Sequence, residues 1–296
     1  SNKILHCFLG RICSGVLVNF NYTIFIIIMS DYEKYFEINK DTWNKKVAIH
    51  SKSDFYNMTA FEKGKTSLNS IELEELGDVS GKSLLHLQCH FGQDTLSWSR
   101  LGATCTGIDL SNEGIKKAKE INEALNLNAT FIESNLYDVP KNVPAKFDIV
   151  FTSYGVVGWL PDLVTWGKII ADKLKKGGVF YMVEFHPIVW MFDYLQEPPK
   201  MMYPYLKTEA IYEEYKGTYT NNEAEIISKE YGWNHGLGEV VTALSNAGLH
   251  IEFLHEFNES PYNCLPNMKK TTNGMYVFEK DNGMFPLLYS IKAIKK

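Results

Sequence analysis

Apolar residues between Ser83 and Ile294 fall into short blocks whose spacing switches between two kinds. Ser83–Leu87, Cys105–Ile108, Ala129–Ile132, Asp148–Thr152 and Val179–Phe185 are brief apolar runs of strand length. The stretches between several of them carry a helical period instead. Asp94–Leu101, Asn112–Leu125 and Leu163–Leu174 read as helices. In the second, Ile115, Ala118, Ile121 and Leu125 recur on one face, with Ser111 in front as an N-cap. Helix Leu237–Ala247, closed by Gly248, then leads to strand Ile251–Glu256, and a last apolar run covers Leu287–Ile294. Alternating strands and helices predict an α/β fold, a doubly wound, mostly parallel sheet with its ligands at the carboxyl ends of the strands.

Two segments break the alternation. Residues 29–80 read as a helical cap, or lid, with Tyr35, Ile38, Trp43 and Val47 as its apolar positions and Tyr56 placed to meet a ligand. Residues 188–235 are rich in tyrosine and proline, including Pro198-Pro199 and Tyr203-Pro204-Tyr205, and read as an insertion that encloses an acceptor. The α/β core is then 81–187 together with 236–296. Residues 1–28 stand apart. Ile12–Ile28 is mostly apolar but interrupted by Asn19 and Asn21, and it lies at the short limit for a membrane-spanning helix. Ser1-Asn2 has the look of a tag-cleavage scar, and the charged sequence opening at Met29-Ser30-Asp31 is where the native fold is expected to start.

With 296 residues, 45% of them hydrophobic, the chain can bury one large core plus a cap. A formal net charge of −5 offers no general attraction to nucleic acid or to an anionic membrane. Five cysteines (7, 13, 89, 105 and 264) without paired spacing suit reduced thiols in a cytoplasm. Monomer and homodimer both stay open.

The chemistry concentrates after the first strand. The loop Gln88-Cys89-His90-Phe91-Gly92 keeps glycine only at its end, and Asp109 closes the second strand seventeen positions after Gly92. An acid so placed can take both hydroxyls of a ribose. A pyrophosphate needs glycines earlier in the loop, where backbone N–H groups crowd the anion, so the ligand is expected to be a nucleoside without phosphates. His86, Cys89 and His90 form an H-x-x-C-H string, but no second His/Cys cluster completes a metal set, and no metal is expected.

LHLQCHFGQDTLSWSRLGA, TGIDLS, FDIVFTSYGVVGWLPDL, LKKGGVFYMVEFHP and WNHGLGEVVTALSNAGL, in that order, resemble class I S-adenosylmethionine-dependent methyltransferases. More narrowly they resemble a bacterial small-molecule branch with an LxLQCHFGxDTL first motif. The resemblance implies a seven-stranded sheet in the order 3-2-1-4-5-7-6 with the last strand antiparallel. It also implies S-adenosylmethionine as cofactor, S-adenosylhomocysteine as product and a small-molecule acceptor. Candidate cofactor contacts are Gln88, Cys89, His90, Phe91, Gly92, Asp94, Thr95, Asp109, Leu110, Ser111, Asn135, Leu136, Ser153 and Tyr56. Leu110 would lie under the adenine, and Asn135 would stand where relatives carry an acid to the adenine amine. His86 stands where many relatives carry an acid.

On the acceptor side, Tyr154 and His186 end the fourth and fifth strands, and His235 closes the insertion. His186 and His235 are candidate general bases, since imidazole titrates near working pH. Trp159 is as well suited to the pocket as to the core, and Trp166 suits packing. Two other readings stay open on the same residues. One is a non-catalytic cofactor sensor, since loop glycines are missing; the other is an NAD-binding dehydrogenase-like protein, which the poor pyrophosphate loop disfavours.

Overall fold

The alternating blocks assemble into a single seven-stranded sheet in the computed structural model of the chain. The structure describes residues 13–193, 200–207, 209–263, 265, 267–272, 274–278 and 286–296, with side chains from 32 onward. The core strands are β1 (Ser83–Leu87), β2 (Thr104–Asp109), β3 (Thr130–Glu133), β4 (Phe147–Ser153) and β5 (Leu174–Phe185). A hairpin follows, β6 (Ile211–Lys216) with β7 (Ile227–Gly232), and then β8 (Leu249–Phe257) and β9 (Leu288–Lys295). Across the sheet the order is β3-β2-β1-β4-β5-β9-β8, with β9 antiparallel to both its neighbours. This is the expected 3-2-1-4-5-7-6 arrangement.

Period-two burial explains the two covered faces. Leu85, Val150, Phe180 and Met182 point to one side, against helices α6 (Leu163–Lys173) and α7 (Leu237–Asn246). Their neighbours Leu84, Phe151, Tyr181 and Val183 point to the other, where Trp98 of α4 (Gln93–Arg100) and Ile71 of α3 (Ser70–Leu76) pack. Trp166 is fully buried, as its packing role requires. β5 starts five residues earlier than the apolar run suggested. Gly177 adopts a left-handed φ of 76°, and the pairing with β4 shifts register between Phe147 and Ile149, so the glycines sit in an irregularity inside the strand.

The N-terminal helix differs from expectation in extent. α1 runs from Cys13 to His50 without interruption, so Met29 does not begin an element. Its last turns lie along β7. Asn39 donates from Nδ2 to Tyr231 O (2.9 Å) and accepts from Tyr231 N (2.8 Å), and Thr42 does the same with Lys229 O and N (2.7 and 3.1 Å). Two side chains one turn apart therefore satisfy the open edge of the hairpin. The other side of α1 reaches the start of α5 (Asn112–Ala124), where Asn44 accepts from Ser111 Oγ (2.7 Å) and donates to Asn112 (2.8 Å). The hairpin thus serves first as a brace for the cap. Pro198-Pro199 lies outside the described residues, as do Cys7 and Cys264. Among the described residues no helix is long and apolar enough to cross a membrane.

Candidate active site

Three left-handed residues in five shape the loop after β1: Gln88 (φ 57°), His90 (φ 51°) and Gly92 (φ 81°). Cys89 N donates to Ile108 O (2.9 Å) and Gly92 N to Cys89 O (2.8 Å), so the loop folds back on the sheet. Packing requires glycine at 92. A Cβ there would stand 2.6 Å from the Phe131 ring, in a backbone conformation L residues avoid. Phe91, Cys89 and Leu136 are buried behind the loop and support it from the core. Burial pushes the Cys89 thiol up, away from a reactive thiolate. Cys105 is likewise a free, buried thiol.

Asp109 ends β2 under this loop. Its Oδ2 accepts from His90 N (2.7 Å) and its Oδ1 from Ser111 N (2.8 Å), while Ser111 caps α5 through Gly114 N (2.9 Å). Burial pushes the Asp109 carboxyl up to about 6, against the backbone hydrogen bonds of Ser111, His90 and Leu110. Leu110 is half-buried beside it. Asn135 points its oxygen at Tyr137 N (3.1 Å), capping the next turn. That hydrogen bond takes one of the two lone pairs on the Asn135 oxygen.

Toward β4 the loop's helix offers Asp94, buried and raised from its usual value by that burial. It accepts from Ser67 Oγ (2.6 Å) and from Ser153 Oγ (3.1 Å) at the end of β4. Thr95 holds His86 Nδ1 at 2.8 Å, and the His86 ring stays neutral, its pKa lowered by burial to about 3. Among the described residues no group of three His, Cys, Asp or Glu side chains is placed to hold a metal ion.

Several buried polar atoms around the loop have no partner among the described residues: Gln88 Oε1, His90 Nδ1, His86 Nε2 and, from the cap, His50 Nε2. Each such atom costs about 1–3 kcal/mol unless satisfied. A polar ligand lying along the loop would satisfy them. The cap closes over that space. His50 Nδ1 lies 3.1 Å from His90 Nε2, Tyr56 and Tyr219 share a hydroxyl contact of 2.5 Å, and Trp43 bridges from His90 (5.1 Å) to Trp159 (5.3 Å). Lys46, buried and paired with Glu230, sits 4.9 Å from the Trp43 ring. Sequence reading placed Trp43 and Tyr56 here but missed His50, Lys46 and Tyr219, whose partners lie up to 184 positions away.

The acceptor side differs more. Tyr154 has a strained φ of 24°, and its hydroxyl donates to Glu72 Oε2 (2.8 Å), a buried cap carboxylate. Glu184, also buried, accepts from Gly155 N, Val156 N (2.7 Å) and Val157 N (3.0 Å), fixing the turn after β4. The two histidines expected as bases are engaged elsewhere. His186 accepts from Ile188 N (3.2 Å) at Nδ1 and contacts Glu256 at Nε2 (3.0 Å), tying β5 to β8. His235 places its nitrogens against Leu160 O (2.7 Å) and Glu239 (2.9 Å), anchoring α7 where the insertion rejoins the core. Neither ring has a nitrogen free for an acceptor. Each ring ties two parts of the fold together in this structure.

Comparison with known proteins bears on the domain and the fold. Residues 84–178 match a methyltransferase domain. That domain holds β1 to the start of β5, including the loop, Asp109, Ser153 and Tyr154. The chain is 32% identical over 131 residues to an uncharacterized methyltransferase of Synechocystis, covering 44% of this chain and 59% of that protein. It is 31% identical over 119 residues to a ubiquinone biosynthesis O-methyltransferase of Albidiferax ferrireducens, covering 38% of this chain and 47% of the relative. The chain thus spans about half the length of these curated relatives. In fold it resembles a putative S-adenosylmethionine-dependent methyltransferase of Listeria monocytogenes, with TM-score 0.56 and 19% identity over 81% of this chain and 98% of that one. The fold is that of the class I methyltransferases, and the cofactor that goes with this domain and fold is S-adenosylmethionine.

Proposed function

We propose that the protein is an S-adenosylmethionine-dependent methyltransferase that moves a methyl group to a small-molecule acceptor by in-line displacement. The observation that carries this reading is the loop 88–92, whose unpartnered buried atoms lie beside an acid at the end of β2. Asp109 would hold the ribose and Leu110 the adenine. Ser153 and Asp94, at the switch point between β1 and β4, would receive the methionine end. Gln88 and His90 offer the loop's free polar atoms, and Trp43, Tyr56 and Tyr219 exclude water. The donor carries its own leaving group on a positive sulfur, so the protein's task is alignment. The product would be S-adenosylhomocysteine.

The ring-lined cleft fits a small acceptor better than a polymer, and a net charge of −5 gives no footprint for nucleic acid. Free buried Cys89 and Cys105 agree with a reducing cytoplasm. The test is calorimetric titration with S-adenosylmethionine and with NAD, followed by transfer of a labelled methyl group to small-molecule acceptors. Saturable binding of the first alone supports the reading, and transfer distinguishes an enzyme from a sensor.

A further inference from the structure

We infer that Tyr154 and Glu72 form a proton relay for the acceptor, with Tyr154 touching the nucleophile and Glu72 acting through it. The inference rests on the methyltransferase reading. Tyr154 follows Ser153, the last residue of β4, and its hydroxyl gives its only hydrogen to Glu72 Oε2 at 2.8 Å, which leaves an oxygen lone pair for an incoming proton. Its φ of 24° is one an L residue adopts only when the surroundings enforce it, and such strain gathers at working sites. Enforcement is visible here. Tyr154 N donates to Val183 O (2.9 Å), and Glu184 clamps the next three backbone N–H groups.

Glu72 is held as firmly. It lies in the first turn of α3 and accepts from Asn69 N (2.7 Å) and Asn69 Nδ2 (3.2 Å). Asn69 also donates to the Tyr262 hydroxyl (3.2 Å), and the Tyr262 ring meets Tyr154 edge-on at 5.0 Å. Phe185 adds a third ring, and Phe55 and Trp190, both more than two-fifths exposed, pack on Tyr262 and Phe185 at the surface. The groups facing Glu72 are Tyr154 after β4, Asp94 on α4, Tyr181 on β5 and Tyr262. Burial raises Glu72 to about 7, against its Asn69 hydrogen bond and with Asp94 adding to the rise; a base poised there works at neutral pH.

The step balances. The lone pair of a hydroxyl acceptor, or the one an ammonium acceptor gains once its proton has left, forms the bond to the methyl carbon as the carbon–sulfur bond breaks, and that electron pair stays on sulfur, giving a neutral thioether. The acceptor's proton passes to the Tyr154 oxygen while the Tyr154 proton passes to Glu72, which ends as a neutral acid. A relay of this kind is needed only by a nucleophile that must shed a proton, so the acceptor class is a hydroxyl compound or an ammonium compound.

Tyramine, which carries a phenol and a primary ammonium, catechol and spermidine serve as probes with labelled S-adenosylmethionine, from pH 5.5 to 9. The expected rate rises with pH up to about 7 and then levels. Glu72→Gln can keep the Asn69 hydrogen bonds through its oxygen but turns an amide N–H toward the Tyr154 oxygen, so it cannot take the proton; it should lose that inflection and fall roughly 10²–10⁴-fold. Tyr154→Phe should fall similarly, with cofactor affinity and melting temperature near wild type in both. Product mass spectra tell oxygen from nitrogen methylation. Wild-type protein that binds the cofactor but methylates none of the probes overturns the relay, as does a Glu72→Gln protein that keeps the inflection and its rate within twofold. Absence of cofactor binding by the wild type is the separate failure of the methyltransferase reading.

Discussion

Replacing Asp109 by asparagine tests the loop and the ribose anchor together. Asparagine can accept from Ser111 N or from His90 N with one oxygen, but its amide group then faces the other N–H. One buried donor loses its partner, at about 1–3 kcal/mol. Against this, the wild-type carboxyl is raised from 3.8 to about 6, so at pH 7 the folded chain carries a charge it disfavours by roughly 3 kcal/mol. A raised carboxyl binds its proton more tightly in the folded state. Wild-type stability therefore increases as pH falls through 6 toward 4, and asparagine has no such term. Glu72, Asp94 and Glu184 shift in the same direction but are common to both proteins and cancel in the difference. Urea unfolding at pH 7 and pH 4 should show Asp109→Asn costing about 2–3 kcal/mol more at the lower pH. Cofactor affinity at pH 7 should drop about 10²-fold as two charge-assisted hydrogen bonds become neutral. Equal stability differences at the two pH values would refute the raised carboxyl, and unchanged affinity would remove Asp109 from the ribose site.

Gly92→Ala should destabilise by about 2–5 kcal/mol, from left-handed strain plus the 2.6 Å approach to Phe131, and the loss should appear in melting curves without cofactor. A fully stable variant that only binds poorly would restore a ligand-facing role to that glycine. Lys46→Met leaves Glu230 buried with Tyr215 as its donor among the described residues (3.0 Å) and should cost about 3–5 kcal/mol, with Glu230→Gln in the same chain recovering part of it. A loss under 1 kcal/mol in chemical denaturation would show that the pair does not hold the cap to the hairpin.

The core was legible because its signals are local. Strand runs, Ser111 before an amphipathic helix and an acid after the second strand each lie within a few residues of what they specify. The site's upper half was not. Glu72 reads as a surface acid in a polar helix, and only the fold brings it to Tyr154, 82 positions on. His186 and His235 showed the reverse problem. Their position at strand and insertion ends suggested catalysis, while their ring nitrogens are taken by Ile188, Glu256, Leu160 and Glu239. The tyrosine-rich insertion suggested a pocket wall; its hairpin pairs with itself and braces α1, and Tyr219 beyond the first hairpin strand meets Tyr56 and His50. Residue type located polar groups near the cleft, and partner geometry decided what each one does.

The most direct test of the account is isothermal titration of the full chain with S-adenosylmethionine, S-adenosylhomocysteine and NAD at pH 7. The loop's free polar atoms and the acid below it predict one saturable site per chain for both adenosyl ligands and none for NAD. No heat with either adenosyl ligand, or NAD binding in their place, would contradict the assignment of this cleft.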